Sequence, residues 1–132
     1  MLATVAVLLS IALLTGCGDT AADDPAFPEF VYRSEDSLMG YRIAAASRDI
    51  MRNVPCYCGC KQDPEKYQSL EDCFYDRKTG DFDEHAAGCT TCLDEAIDID
   101  QWKKDGLSAS EIRDLIDAKY AERGEPTDTP RP

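Results

Sequence analysis

The sequence is short of basic residues, and its charge is strongly negative. Lysine and arginine together number 14 against 26 aspartate and glutamate residues, so the formal net charge is −12 at pH 7. Nucleic acids and anionic lipids are bound largely through positive charge, and this balance argues against both as partners. The sequence also lacks a glycine-rich phosphate loop, a serine nucleophile motif and a catalytic carboxylate pair. These absences remove the usual basis for a hydrolase or a nucleotide-binding function.

No charged side chain precedes Cys17, and residues 2–14 are almost wholly apolar. This run is shorter than the roughly 20 residues that a membrane-spanning helix needs. It continues into a Leu-Thr-Gly-Cys sequence that closes at Cys17 and is typical of a lipobox, although the basic segment that normally comes first is missing. We therefore predict that residues 1–16 are a signal peptide and that Cys17 is lipidated. The protein would then be anchored at the outer face of the bacterial cytoplasmic membrane.

The rest of the chain is long enough for one small domain with a modest core. Residues 17–33 begin with small and polar side chains, and predict a lipidated flexible tether. Residues 34–123 carry the apolar periodicity of helices and contain six cysteines, so they form the predicted cysteine-rich domain. Residues 124–132 are predicted to be a disordered tail.

No stretch alternates with the period of a strand, so the predicted fold is mainly α-helical. We expect about three helices, over residues 34–51, 84–105 and 108–124, with a single helical turn at residues 70–75. Asp83 is the predicted N-cap of the long helix. The last helix follows a capping box and is expected to bury Ile112, Leu115, Ile116 and Tyr120. The acidic side chains of the long helix are expected to face solvent, and these are Asp94, Glu95, Asp98 and Asp100.

The cysteines after Cys17 fall into three groups. Three form a Cys-x-Cys-x-Cys loop, one stands alone and two form Cys-x-x-Cys. With the single histidine they are Cys56, Cys58, Cys60, Cys73, His85, Cys89 and Cys92. At about 100° per residue, positions 85, 89 and 92 of one helix fall within an arc of roughly 60°, so one imidazole and two sulfurs would share a face. Gly88 on that face would let the Cys-x-Cys-x-Cys loop dock on the longest helix.

These seven side chains indicate a site for a soft metal ion. Thiolates select Cu(I), Zn and iron–sulfur centres over Mg or Ca. A closed zinc site takes four ligands and would leave three idle, whereas Cu(I) takes two or three ligands and tolerates bridging thiolates. We therefore expect a small Cu(I) cluster ahead of Zn. An iron–sulfur cluster is disfavoured because the cysteine spacing matches neither ferredoxin pattern.

Disulfides are the main alternative, because cysteines of small exported domains usually pair. Three cysteines at alternate positions cannot readily bridge one another, so each would need a partner among Cys73, Cys89 and Cys92. Such pairing would staple the loop to the long helix in the same place, but it would give His85 no role. A thiol–disulfide redox protein using Cys89 and Cys92 is a further alternative.

The sequence from Pro55 to Cys60 reads Pro-Cys-Tyr-Cys-Gly-Cys and resembles the PCYCGC-motif lipoproteins. The similarity extends over residues 35–122. It implies export, lipid attachment and cysteine chemistry, without naming the metal. Residues 102–124 are more weakly similar to the helical hairpin of the thiol-reductase subunit of cytochrome c maturation. We interpret the chain as a metal-binding protein and not an enzyme, with a metal-receiving or metal-exporting protein as a possible partner.

Overall fold

A computed structural model describes residues 25–132 of the chain. The predicted signal peptide, the lipidation of Cys17 and residues 17–24 of the predicted tether lie outside these residues. Within them the fold is mainly helical and strands are absent, as the sequence predicts; one isolated bridge joins Tyr75 and Phe82. None of the helices in this part of the chain combines the length and the apolar character needed to cross a membrane.

Five α-helices and three short 3-10 turns make up the domain. The α-helices are α1 (Glu35–Ala46), α2 (Arg48–Met51), α3 (Glu71–Phe74), α4 (Thr90–Lys104) and α5 (Ala109–Tyr120). The 3-10 turns are Glu29–Arg33, Cys60–Gln62 and His85–Gly88. The three longer helices, α1, α4 and α5, correspond to the three that the sequence predicts, and α3 corresponds to the predicted single turn.

The first predicted helix is divided in two at Ser47. The Ser34 hydroxyl caps α1 by accepting a hydrogen bond from the Ser37 amide at 3.0 Å. Ser47 leaves helical geometry with φ −136°, and Lys103 of α4 donates to the free carbonyl of Ala46 at 2.8 Å. The break is therefore stabilised by a contact with a distant helix, which local periodicity does not reveal.

The long helix begins at Thr90, six residues later than predicted. Asp83 is not its N-cap; Cys89 holds that position in an extended conformation with φ −116°. Residues 85–88 form a separate 3-10 turn, and Asp83 instead accepts a hydrogen bond from the His85 amide at 2.8 Å. The placement of His85 on the same helix face as Cys92 was therefore wrong.

Helices α4 and α5 form a hairpin closed by the predicted capping box. The Ser108 hydroxyl accepts from the Glu111 amide, and the Glu111 carboxylate accepts from the Ser108 amide at 2.9 Å. Ile112, Ile116 and Tyr120 are buried, as predicted. Leu115 is 38% exposed and does not belong to the core, because the buried stripe of α5 follows a spacing of four residues.

The core centres on aromatic side chains between α1, α3 and the first residues of the domain. Tyr41 is fully buried, contacts the rings of Phe30, Phe74 and Phe82, and donates to the carbonyl of Asp83. Val31 is also fully buried in the 3-10 turn Glu29–Arg33. The end of the predicted tether is thus part of the packed domain.

The C-terminal residues pack against the domain, and the prediction of a disordered tail was wrong. Thr127 and Thr129 are buried. The Thr127 amide donates to the carbonyl of Cys56 at 3.1 Å, and the Thr129 hydroxyl donates to the carbonyl of Gln68 at 2.6 Å. Polar side chains without periodicity predicted disorder, but here they satisfy backbone groups of the Cys-x-Cys-x-Cys segment.

Candidate metal centre

Three sulfurs converge within the segment that follows α2. The Sγ atom of Cys58 lies 3.2 Å from that of Cys56 and 3.1 Å from that of Cys60. Gly59 lies between Cys58 and Cys60 and has φ +93°, a left-handed conformation that residues other than glycine rarely adopt. Glycine at this position lets the chain turn, so that consecutive cysteines at alternate positions direct their sulfurs to one place.

The histidine and the Cys-x-x-Cys pair reach the same place from the other side. The Nε2 atom of His85 lies 3.4 Å from the sulfurs of both Cys58 and Cys60. Cys92, in the first turn of α4, has its sulfur 3.2 Å from that of Cys89 and 3.6 Å from that of Cys58. The predicted convergence therefore occurs, although a 3-10 turn, an N-cap and a helix supply it instead of one helix face.

Cys73 completes the set from α3. Its side chain is fully buried, and its sulfur lies 3.8 Å from that of Cys60. All seven candidate ligands predicted from the sequence are thus brought to a single cluster. The cysteines of residues 25–132 are all free thiols, and the shortest sulfur separations given above exceed the roughly 2.05 Å of a disulfide bond by an ångström or more.

The cluster divides into two groups of four ligand atoms that share one member. We call these the inner tetrad, which is Cys56, Cys58, Cys60 and Cys73, and the outer tetrad, which is Cys58, His85, Cys89 and Cys92. Within each tetrad all ligand atoms lie within 4.8 Å of one another. Metal–sulfur bonds of about 2.3 Å at a tetrahedral ion place sulfurs about 3.8 Å apart. The observed separations are therefore close to those that a bound ion requires.

A family model described as "Protein of unknown function with PCYCGC motif" matches residues 10–132. The chain belongs to this family. No curated protein and no solved structure matches the chain. The weaker similarity of residues 102–124 to the cytochrome c maturation subunit stays a prediction.

A buried glutamate, Glu95, forms a hydrogen bond to the backbone of the PCYCGC motif, although the sequence predicts that this residue is exposed. Glu95 of α4 was expected to face solvent, but it is fully buried and accepts a hydrogen bond from the Tyr57 amide at 3.1 Å. Its position three residues after Cys92 and four before Ile99 puts it within the buried stripe of α4, and that spacing was the available signal. The loop does dock on the longest helix, as predicted, but through Glu95.

Gly88 has no part in this docking, contrary to the prediction. A Cβ atom built there would meet no other atom within 4 Å. The close approach occurs at Gly124, where a Cβ atom would lie 2.7 Å from the carbonyl oxygen of Tyr57. A glycine at position 124 therefore lets the C-terminal segment lie directly on the PCYCGC motif.

The C-terminal segment supplies the second support for the motif. The hydroxyl of Thr127 accepts a hydrogen bond from the Cys56 amide at 2.9 Å, and that bond is buried. Tyr57, whose packing was left open by the sequence, is buried and donates to the carboxylate of Asp117 at 2.8 Å. The backbone of Cys56 and Tyr57 is thus bound to α4 and the C-terminal segment, and the Tyr57 side chain is bound to α5.

The neighbouring thiols shift the pKa values of Cys58 and His85 in the metal-free cluster. Hydrogen bonds from the neighbouring thiols, Cys56 first and Cys60 next, lower the pKa of the Cys58 thiol. Contact with the sulfurs of Cys58 and Cys60 raises the pKa of the His85 imidazole to about 12. These contacts favour a charged sulfur and a charged imidazole, and an entering ion must compete with protons for the ligands.

Proposed function

We propose that this protein is a lipid-anchored, extracytoplasmic binding protein for soft metal ions, with Cu(I) ahead of Zn. It would serve in storage, buffering or delivery of the ion and would catalyse no reaction of its own. The lipid at Cys17 would hold it at the outer face of the cytoplasmic membrane, where a metal-receiving or metal-exporting protein would be its partner.

The observation that carries this proposal is the convergence of six sulfurs and one imidazole from four separate chain segments. Thiolates at such separations repel one another in a medium of low dielectric, and a bound cation would remove that repulsion. The candidate ligand atoms are six sulfurs and one imidazole nitrogen, and such a donor set favours soft ions over Mg or Ca. A structural core would not need the only histidine of the chain to lie between two of the sulfurs.

Copper is preferred to zinc because of the shared sulfur. Cys58 belongs to both tetrads, and a thiolate that serves two ions is a common arrangement in Cu(I)–thiolate clusters. The ligand set also suits Cu(I) in another respect. Cu(I) takes two or three ligands, whereas a single zinc ion takes four and would leave three of the seven idle.

The direct test is elemental analysis of protein purified without oxygen and loaded with Cu(I). Replacement of both Cys89 and Cys92 by serine should lower the amount of bound metal while helix content, measured by circular dichroism, stays largely unchanged. Metal affinity should also weaken as the pH falls, because protons compete for the ligands.

The matched control is Asp94→Asn, a change to an exposed residue of the same helix that lies between the two cysteines and Glu95. This variant should bind as much metal as the wild type. Equal metal content in the double-serine variant would contradict the proposal, and so would a wild-type protein that binds none.

A thiol–disulfide redox function is the second candidate, and the geometry of one pair favours it. Cys89 is the half-buried N-cap of α4, and the sulfur of the buried Cys92 lies 3.2 Å away. Two thiols this close could form a disulfide, and such a pair could exchange with a dithiol substrate. Reduction of a mixed disulfide by the metal-free protein, abolished by Cys89→Ser alone, would support this candidate; exchange that is as fast in Cys89→Ser would exclude it.

A further inference from the structure

The position of Cys58 suggests more than one bound ion. Its sulfur lies within 3.6 Å of two members of each tetrad: Cys56 and Cys60 of the inner one, His85 and Cys92 of the outer one. No other ligand belongs to both tetrads. Seven ligands exceed the four that one tetrahedral ion accepts, whereas two ions could each take their ligands from one tetrad, with Cys58 common to both.

The tetrads are also adjacent along a second line of contacts. The sulfurs of Cys56 and Cys92 are 3.7 Å apart, and that of Cys60 lies 3.4 Å from Nε2 of His85. Each of these contacts joins a member of one tetrad to a member of the other. Ions bound at the two tetrads would therefore be neighbours in one cluster.

The two tetrads differ in access to solvent. Apart from the shared Cys58, the inner tetrad is buried: Cys56 and Cys73 are fully buried, and Cys60 is 6% exposed. In the outer tetrad His85 and Cys89 are partly exposed, and only Cys92 is fully buried. Exchange of a soft ion between proteins requires an incoming ligand to reach the ion before the old ligands leave. Only the outer tetrad offers such an approach.

From these observations, and resting on the proposed function, we infer that the centre holds two soft ions bridged by the Cys58 sulfur, an inner ion that is retained and an outer ion that exchanges with a thiol-bearing acceptor. In the exchange, a thiolate of the acceptor forms a bond to the outer ion as the bond to Cys89 breaks. The ion keeps its oxidation state, and the freed Cys89 thiolate takes a proton from water. The bonds from His85, Cys92 and the bridging Cys58 to the outer ion break in later steps of the same kind, while Cys58 keeps its bond to the inner ion.

The test uses the full protein loaded with Cu(I), with stoichiometry read by native mass spectrometry and removal followed with a chromogenic Cu(I) chelator in excess. The wild type should hold two ions and release them in two phases of equal amplitude. Cys89→Ser, which changes only the outer tetrad, should lose the fast phase and one ion. Cys73→Ser, which changes only the inner tetrad, should lose the slow phase and one ion.

Each failure has its own meaning. A wild type that binds no Cu(I) would refute the proposed function itself. A wild type that binds one ion, or more than two, or that releases two in a single phase would leave metal binding intact and overturn the two-ion inference. The same holds if Cys89→Ser and Cys73→Ser lose the same phase. If Cys73→Ser loses helix content, the amplitudes of the wild type and of Cys89→Ser decide the question.

Discussion

The α4–α5 hairpin and the cysteine cluster lie side by side but are stabilised in different ways. The hairpin has an apolar interface that includes Ile99, Ile112 and Ile116, and a capping box formed by neighbouring residues. The cluster segment has little regular structure, and its backbone is held by side chains far away in sequence, chiefly Glu95 and Thr127. The hairpin is therefore a scaffold that should survive loss of the cluster, while the cluster depends on contacts that the scaffold and the C-terminal segment provide.

The largest expected effect tests the scaffold. Ile116 is fully buried, and Ile116→Ala should lower the free energy of unfolding by about 2–5 kcal/mol, because the transfer energy of the lost atoms is joined by a cavity term. Urea unfolding of the metal-free protein measures this change. At temperatures where the variant remains folded, its metal content should equal that of the wild type.

Leu115→Ala is the matched control, since Leu115 is 38% exposed and should contribute much less. Equal destabilisation by Ile116→Ala and Leu115→Ala would contradict the role of the hairpin as the scaffold. Loss of metal from the folded Ile116→Ala protein would contradict the separate stabilisation of hairpin and cluster.

A smaller effect is expected from the contact between the C-terminal segment and the motif. Thr127→Val keeps the shape of the side chain but removes the acceptor of the buried Cys56 amide, at a cost of about 1–3 kcal/mol for an unsatisfied group. Hydrogen exchange at the Cys56 amide should accelerate by more than the change in global stability explains. Hydrogen exchange of amides within the α4–α5 hairpin should change only by the amount that the change in global stability explains.

Thr79→Val serves as the control, because the Thr79 hydroxyl accepts a hydrogen bond only in an exposed turn. If Thr127→Val left the exchange of the Cys56 amide unchanged, the C-terminal segment would not be a support of the motif.

The smallest effect is a change in pH dependence. Burial raises the pKa of Glu95 well above its usual value of 4.5, and one of its oxygens has no hydrogen-bond partner. The folded state therefore binds the proton more tightly than the unfolded state, so the stabilisation from protonation is full below about pH 4.5 and is lost as the pH rises through the raised value. Glutamine stays neutral and can still accept from the Tyr57 amide.

The free energy of unfolding of metal-free Glu95→Gln should therefore increase relative to that of the wild type as the pH rises. Urea unfolding of the reduced proteins measures this difference. Asp94→Asn, at the exposed neighbouring position, should show no such gain. Parallel stability profiles for the wild type and Glu95→Gln would mean that Glu95 is ionised in the folded protein.

Several features of this molecule were accessible from the sequence because they depend on neighbouring residues. The capping box at Ser108 and Glu111, the burial of Ile112 and Ile116, and the helical class of the domain follow from side-chain spacing and local hydrogen bonds. The candidate ligands were also accessible, since cysteine and histidine are the residue types that soft ions require. The family's motif adds the same information in a compact form.

The sequence by itself determined the helical class of the domain, the presence of its three longer helices and the side chains that could bind a soft ion. Only the tertiary structure decided that the ligands divide into two tetrads around Cys58, that Glu95 is buried, and that the C-terminal segment is ordered. The physical reason is that these three features consist of contacts between residues dozens of positions apart. Such contacts form once the helices have packed, and neither periodicity nor composition encodes which buried amide a distant carboxylate or hydroxyl will satisfy.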